Sequence, residues 1–245
     1  HIELLKKKKV DIAGLEFASG KTFRWEGFYE FDLNQAHTVS TELNVFSDFN
    51  PVLPEKYRNA KYLFLGNISP SLQLSVLAQM KKRPKLVVSD TMNYYIGKDP
   101  EAVKQVIQKV DIGLMNEGEA RQLFKTPNLI SAARQIISLD SEYAIIKKGE
   151  HGAIMLSKKG FFAAPGYPLE NVIDPTGSGD SFAGAFIGFL AKTGNLSEKN
   201  FRKAIIYAST VASFNAEDFS LGKLANLSKP EIEARVGKFR ELVKF

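Results

Sequence analysis

The sequence predicts an α/β fold: a mainly parallel central sheet flanked by helices, with a small antiparallel β lid near the start of the chain. Three observations carry this expectation. Short apolar runs alternate with helix-length segments from Lys61 to Lys147, β-prone runs rich in aromatics crowd residues 12–48, and a glycine-rich turn from Asp174 to Asp180 joins a β-prone run to a helix-like stretch.

In chain order, Ile12 to Phe17, Thr22 to Phe31 and Thr38 to Phe46 are β-prone, with Gly20-Lys21 as a turn between the first two. Pro51 and Pro54 then punctuate the chain. Lys61 to Gly66 and Lys85 to Ser89 read as buried strands, separated by a helix from Pro70 to Lys81 that Ser69 could cap. After Asp99-Pro100, the apolar residues Val103, Val106, Ile107 and Val110 fall at helical spacing. Ile112 to Met115 is then a strand, Glu117 to Phe124 and Asn128 to Leu139 are helices, and Tyr143 to Lys147 is a strand. Strands alternating with helices in this way imply βαβ units. Beyond Asp180 the chain reads as helical over Ser181 to Lys192, Ser197 to Asn215 and Pro230 to Leu242. The expected organisation is one α/β domain over 1–11 and 49–245, with the small sheet of 12–48 as a lid belonging to it.

Bulk properties narrow the function classes. With 245 residues, 44% of them hydrophobic, the chain can bury a substantial core. The 33 Lys and Arg against 27 Asp and Glu give +6, which suits anionic ligands in general. Much of the excess lies at the ends, in Lys6 to Lys9 and in Lys223, Lys229, Lys238 and Lys244, without interleaved aromatics, so no nucleic-acid partner is expected. The absence of cysteine excludes disulfides and thiolate chemistry and permits a reducing compartment, with the cytoplasm as the default. No apolar run reaches the roughly 18 residues of a membrane span, so no membrane partner is expected. His1, His37 and His151 show no metal-ligand spacing. The first residue is His1, within a polar, helix-like stretch, which is compatible with a longer natural chain.

The glycine-rich turn carries the chemistry. Asn171-Val172-Ile173 reads as a short strand, Asp174-Pro175-Thr176-Gly177-Ser178-Gly179-Asp180 as the turn, and Ser181 onward as a helix. Gly177 and Gly179 let backbone N–H groups converge, and the helix start adds its unpaired donors and positive dipole end. Such a turn suits phosphate oxygens. Taken alone, the segment is equally a tight turn in which Asp180 caps the helix. Gly184 and Gly188, each costing roughly 1 kcal/mol in helix propensity, suggest a close approach by a neighbour or a ligand. The dinucleotide fingerprint fails because Phe182 stands where its third glycine belongs, and neither a P-loop nor a nucleophile elbow occurs. An NAD-dependent oxidoreductase, a Walker-type NTPase and a hydrolase are thereby disfavoured.

The run DPTGSGDSFAGAFIGFL resembles the C-terminal signature of the ribokinase-like, phosphofructokinase-B type family of sugar and nucleoside kinases. Asn116-Glu117-Gly118-Glu119-Ala120 is similar to that family's N-x-x-E motif, and Ile145 to Ala153 to its nucleotide-side strand and turn, all in the family's order. The resemblance implies ATP- and Mg²⁺-dependent transfer to a hydroxyl of a sugar or sugar-like molecule. A nucleoside or vitamin-like alcohol as acceptor, and a catalytically silent binding protein on the same fold, are the alternatives. In this reading Asp180 is the base, and Gly177, Ser178 and Gly179 form the anion hole for the γ-phosphate. Asn116 and Glu119 act on Mg²⁺ through water, although alone they would be read as a helix cap and a solvated charge.

The same resemblance places Lys147, Gly149, Gly152, Asp174, Thr176, Ala208 and Ser209 on the nucleotide side. Lys147 and Lys148 depart from the small or apolar residues of ribokinase itself, and either approach phosphate or face solvent. Ala208 and Ser209 either line the adenine pocket or pack a helix. On the acceptor side, Trp25 in the aromatic segment from Phe23 to Phe31 could stack on substrate, join a homodimer interface or build the lid's own core. Asn67, Asp90 and Asn93, at or just after strand ends, could bind an acceptor hydroxyl, support that site from behind or simply form turns. The family's early acceptor-binding Asp and Gly-Gly pair belong to a strand and helix that would precede the lid, and this chain is expected to lack them.

Overall fold

A computed structural model describes residues 1–34 and 36–244. A short helix α1 (Ile2–Lys7) precedes the hairpin β1 (Arg24–Tyr29) and β2 (Ala36–Glu42). The α/β body follows as β3 (Tyr62–Leu65), α2 (Pro70–Ala78), β4 (Leu86–Ser89), α3 (Asn93–Lys98), α4 (Pro100–Ile107), β5 (Ile112–Asn116), α5 (Glu117–Phe124), α6 (Leu129–Ser138) and β6 (Tyr143–Lys147). It ends with β7 (Ala153–Ser157), β8 (Gly160–Ala164), α7 (Ser178–Thr193), α8 (Glu198–Ala216), α9 (Gly222–Asn226) and α10 (Lys229–Leu242).

The central sheet has the order β3-β4-β5-β6-β7-β8. Its first four strands pair in parallel, while β6, β7 and β8 form an antiparallel meander. Successive side chains of a strand point to opposite faces, so a sheet covered on both sides needs continuous apolar strands. Leu114 and Met115, or Ile145 and Ile146, show the consequence. Leu114 and Ile145 pack with Val88 against Phe182, Phe186 and Ile205 of α7 and α8. Met115 and Ile146 pack the other way, against Leu123, Ala132 and Ile136 of α5 and α6. Leu65, Val87, Val106 and Val110 close a smaller cluster beneath α2 and α4.

Several local expectations fail for identifiable reasons. Ile12 to Phe17 is not a strand: Asp11 accepts hydrogen bonds from the Ala13 N–H and from the Tyr57 hydroxyl, turning the backbone away from extension. Lid strand β2 stops at Glu42, and Asn44–Asp48 coils into a 3-10 turn whose Asn44 Nδ2 donates to the Thr22 carbonyl. Ser69 precedes α2 without capping it, because its hydroxyl pairs with that of Ser71. Residues 171–173 are irregular, with the Ile173 N–H donating to the Ala216 carbonyl at the end of α8 rather than to a strand. Gly184 and Gly188 mark no close approach, since open space lies where their Cβ atoms would stand. Among the described residues, no helix is long and apolar enough to cross a membrane.

Candidate active site

Three neighbouring parallel strands deliver polar side chains to one end of the sheet. Asp90 follows β4 directly, Asn116 ends β5 and Lys147 ends β6, with Asn116 and Lys147 paired in register. This is the carboxyl end, where ligands of open α/β sheets bind.

Asn116 caps α5 through a reciprocal box. Its Oδ1 accepts from the Glu119 N–H at 2.8 Å, while the carboxylate of Glu119 accepts from the Asn116 backbone N–H and from Asn116 Nδ2, each at 2.8 Å. Glu119 is only 6% exposed. Burial pushes its carboxyl up to about 8, with the charge of Asp90 adding to the rise and Lys147 opposing it.

The Lys147 ammonium lies 2.6 Å from Asp90 Oδ2, with side-chain exposures of 14% and 3%. Burial alone would lower the lysine pKa, but Asp90, Glu119 and Asp180 outweigh it and leave it above the ordinary value. Burial likewise raises Asp90, against the pull of Lys147. The rise of the lysine reflects the carboxylates around it, and that of Asp90 its burial. Asp90 also accepts from the Thr91 N–H, and its backbone carbonyl accepts from Gln73 Nε2.

The glycine-rich turn sits at the start of α7. Asp174 Oδ1 accepts from the Thr176 N–H at 2.9 Å, and Gly177 takes the left-handed conformation (φ +81°) that leads into the helix. The Ser178 N–H donates to the Pro175 carbonyl, so it is committed within the turn. The N–H groups of Gly177, Gly179 and Asp180 have no partner among the described residues. Asp180 is exposed, and its carboxylate accepts no hydrogen bond there. A Cβ built on Gly179 would stand 3.3 Å from Lys147 Nζ, which brings the lysine to the turn.

Sequence reasoning missed the residue that holds this turn. Asn215, near the end of α8 and 3% exposed, donates from Nδ2 to the Thr176 carbonyl (2.8 Å) and to Ser178 Oγ (3.2 Å), and its Oδ1 accepts from Ser181 Oγ (3.1 Å). An Asn on an otherwise apolar helix face was the available signal.

The lid reaches the same region at two points. The Tyr29 hydroxyl lies 3.1 Å from Thr176 Oγ1, and Asn34 Nδ2 donates to Glu150 Oε1 at 3.0 Å. Asn34 packs over Gly149, while Gly152 (φ +85°) turns the chain into β7 against the Ala164 carbonyl. Trp25 belongs to the lid's own packing: its ring covers Gly27 and its Nε1 donates to Thr38 Oγ1.

The remaining candidates scatter. Asn67 is exposed. The Asn93 side chain accepts from the Tyr94 N–H at the start of α3, which is turn chemistry. Ala208 is fully buried in the core, whereas the adjacent Ser209 has a buried hydroxyl without a partner among the described residues. A cavity of about 310 Å³ lies between the end of the lid (Leu43, Phe46) and Ser69, Ser71, Tyr94 and Tyr95.

Residues 2–226 match the pfkB family of carbohydrate kinases. The chain belongs to that family. A cytidine kinase of Thermococcus kodakarensis is 30% identical over 182 residues, 73% of this chain; the chain spans 64% of that relative's length. Two solved structures share the fold: a fructokinase from Vibrio cholerae O395 in fructose-, ADP- and calcium-bound form (TM-score 0.77, 17% identity, 96% of this chain and 80% of that one), and a nucleoside kinase from Methanocaldococcus jannaschii (TM-score 0.74, 20% identity, 97% and 75%). The β3–β8 sheet, its helices and the two-stranded lid are therefore this family's architecture.

Proposed function

We propose that this pfkB-family chain transfers the γ-phosphate of ATP to a hydroxyl of a sugar or sugar-like small molecule. The observation that carries the reading is the exposed carboxylate of Asp180, unpartnered among the described residues, beside the open N–H donors of Gly177 and Gly179. Phosphoryl transfer asks a protein for position and charge stabilisation more than for covalent chemistry. In this reading Asp180 orients the acceptor hydroxyl and takes its proton, while the turn and the α7 dipole stabilise the transferring group. Ser178 serves by shaping the turn, since its N–H is committed to Pro175. Gly149, Gly152, Asp174, Thr176 and Ser209 border the nucleotide, with Ala208 packed behind.

The donor set suits Mg²⁺ held mainly by phosphate oxygens and water. Among the described residues no three His, Cys, Asp or Glu side chains converge as a metal cage, and both Glu119 oxygens already accept hydrogen bonds from Asn116. Their remaining lone pairs could hold water ligands. Bound with ATP, the ion would neutralise the phosphate charge.

A second reading makes the acceptor a nucleoside. It is favoured by the cytidine kinase relative, 30% identical over 182 residues. A panel of sugars, nucleosides and vitamin-like alcohols assayed for ATP consumption separates the two. Asp180→Asn then tests the centre itself: turnover should fall about 10²–10⁴-fold with nucleotide binding retained, and unchanged turnover removes Asp180 from the mechanism.

A further inference from the structure

Resting on the reading of the Asp180 turn as a phosphoryl-transfer centre, we propose that Lys147 is a catalytic residue whose ammonium meets the phosphoryl group during transfer, with Asp90 as the positioning residue that holds it in place. The geometry is specific. Lys147 Nζ is 2.6 Å from Asp90 Oδ2 on one side, and on the other it is 3.3 Å from the point where a Gly179 side chain would begin. The ammonium thus sits between the end of β4 and the first turn of α7, against a residue whose backbone N–H is open.

Burying such a pair is costly, because each ion loses several kcal/mol of hydration that their mutual attraction repays only in good geometry. Two apolar residues would pack there with less penalty. An ammonium also has three donors, and among the described residues Lys147 gives only one, to Asp90. The lysine therefore keeps donors to spare at the turn where negative charge arrives. The sequence separation of 57 residues shows the pair to be a tertiary device, set by strands β4 and β6 on either side of β5.

In the step itself, the bond between the γ-phosphorus and the oxygen bridging to ADP breaks, and ADP leaves with its electron pair. A bond forms between that phosphorus and the acceptor oxygen, whose proton passes to Asp180. Lys147 stays protonated throughout and stabilises charge on the transferring oxygens. Its effect is larger in the transition state than in bound ATP, so it acts on kcat rather than on nucleotide affinity.

The competing role is purely structural: Lys147 would only neutralise Asp90. Lys147→Met, Asp90→Asn and the double variant separate the two when compared with wild type, Lys147→Arg and Asp180→Asn for ATP turnover, ATP affinity by calorimetry and thermal unfolding. We expect Lys147→Met to lower kcat about 10²–10³-fold with ATP affinity held within about threefold, Lys147→Arg to recover part of the loss, and the double variant to remain as slow as Lys147→Met. If Lys147→Met fails to fold, the double variant, which buries no unpaired carboxylate, carries the same comparison. Return of the double variant to within about threefold of wild type, or a loss of ATP affinity that matches the loss of turnover, overturns the proposal. If Asp180→Asn is inactive while Lys147→Met is not, the lysine assignment alone has failed. If wild type consumes no ATP, or Asp180→Asn matches it, the kinase-centre reading falls and this proposal with it.

Discussion

Replacing Asn215 by Ala tests whether the glycine-rich turn is held from behind. The substitution removes three hydrogen bonds, to the Thr176 carbonyl, Ser178 Oγ and Ser181 Oγ. A typical intramolecular bond contributes about 1 kcal/mol net, and a buried group left unpaired costs about 1–3 kcal/mol. Thr176 is exposed and Ser178 and Ser181 are half-buried, so water can replace part of what is lost. The expected destabilisation is therefore about 2–3 kcal/mol, read as a lower urea midpoint with an unchanged slope. Function should suffer more than stability implies. Asn215 links residues on both sides of Gly177, so its loss lets the donors of Gly177 and Gly179 drift relative to Asp180, and a misplacement near 1 Å costs about 10²-fold in rate. The assay is steady-state turnover at saturating ATP, measured where the variant is still folded. A midpoint shift worth under about 0.5 kcal/mol together with unchanged kcat would refute the bracing role.

Other outcomes follow from the same contacts. Because the Glu119 carboxyl is raised from an ordinary 4.5 to about 8, the folded state holds the extra proton between those values. Its stabilising contribution is complete below about pH 4.5 and lost as pH rises through 8, so Glu119→Gln should flatten a decline in unfolding free energy of a few kcal/mol across that window. An identical slope in the variant would show that Glu119 is not its source. Tyr29→Phe with Asn34→Ala removes both lid contacts, each exposed and worth about 0.5–1 kcal/mol; hydrogen exchange over residues 24–42 should quicken about fivefold or more, against no change if the contacts are idle. Gly27→Ala would set a Cβ 2.3 Å from the ring of Trp25, the chain's single tryptophan, so its fluorescence should shift with a lid destabilised by about 1–3 kcal/mol. An unaltered spectrum would mean that the ring does not cover Gly27.

The body of the fold was legible because its strands are buried on both faces and punctuated by caps. Glu117–Phe124 and Tyr143–Lys147 coincide with the sequence expectation, and Asn128 and Asp99 cap α6 and α4 with the hydrogen bonds their types suggest. The lid was less legible. A β-prone run such as Ile12 to Phe17 needs a partner strand, and the side chains of Asp11 and Tyr57 offered its backbone a different set of bonds. The hairpin of β7 and β8 and the short α3 carried no strong periodic signal, and they are placed by the sheet and by α5. The order of the motifs could be read from the chain. The Asp90–Lys147 pair and the Asn215 brace could not, because each joins residues distant in sequence whose local patterns suit solvent or helix packing equally well.

Glu119 and Asp180 show how one local pattern yields two different carboxylates. Each is the third residue of a helix that begins at the carboxyl end of the sheet or at the turn beside it. In α5 the preceding cap is Asn116, whose side chain and backbone engage Glu119 completely and draw it into the interior. In α7 the cap is Gly177, which has no side chain to reciprocate and whose left-handed backbone opens the turn instead. Among the described residues Asp180 consequently keeps both oxygens free at the surface, with Lys147 and Asp90 close enough to feel its charge. A residue such as Asn at 177 could bond the helix N-terminus and stabilise it, as caps ordinarily do. It would also offer the Asp180 side chain a partner and crowd the donors of the turn. Glycine at the cap therefore leaves α7 less stabilised at its start than α5, and the same absence leaves a carboxylate and three N–H groups unengaged among the described residues, as the role proposed for Asp180 requires.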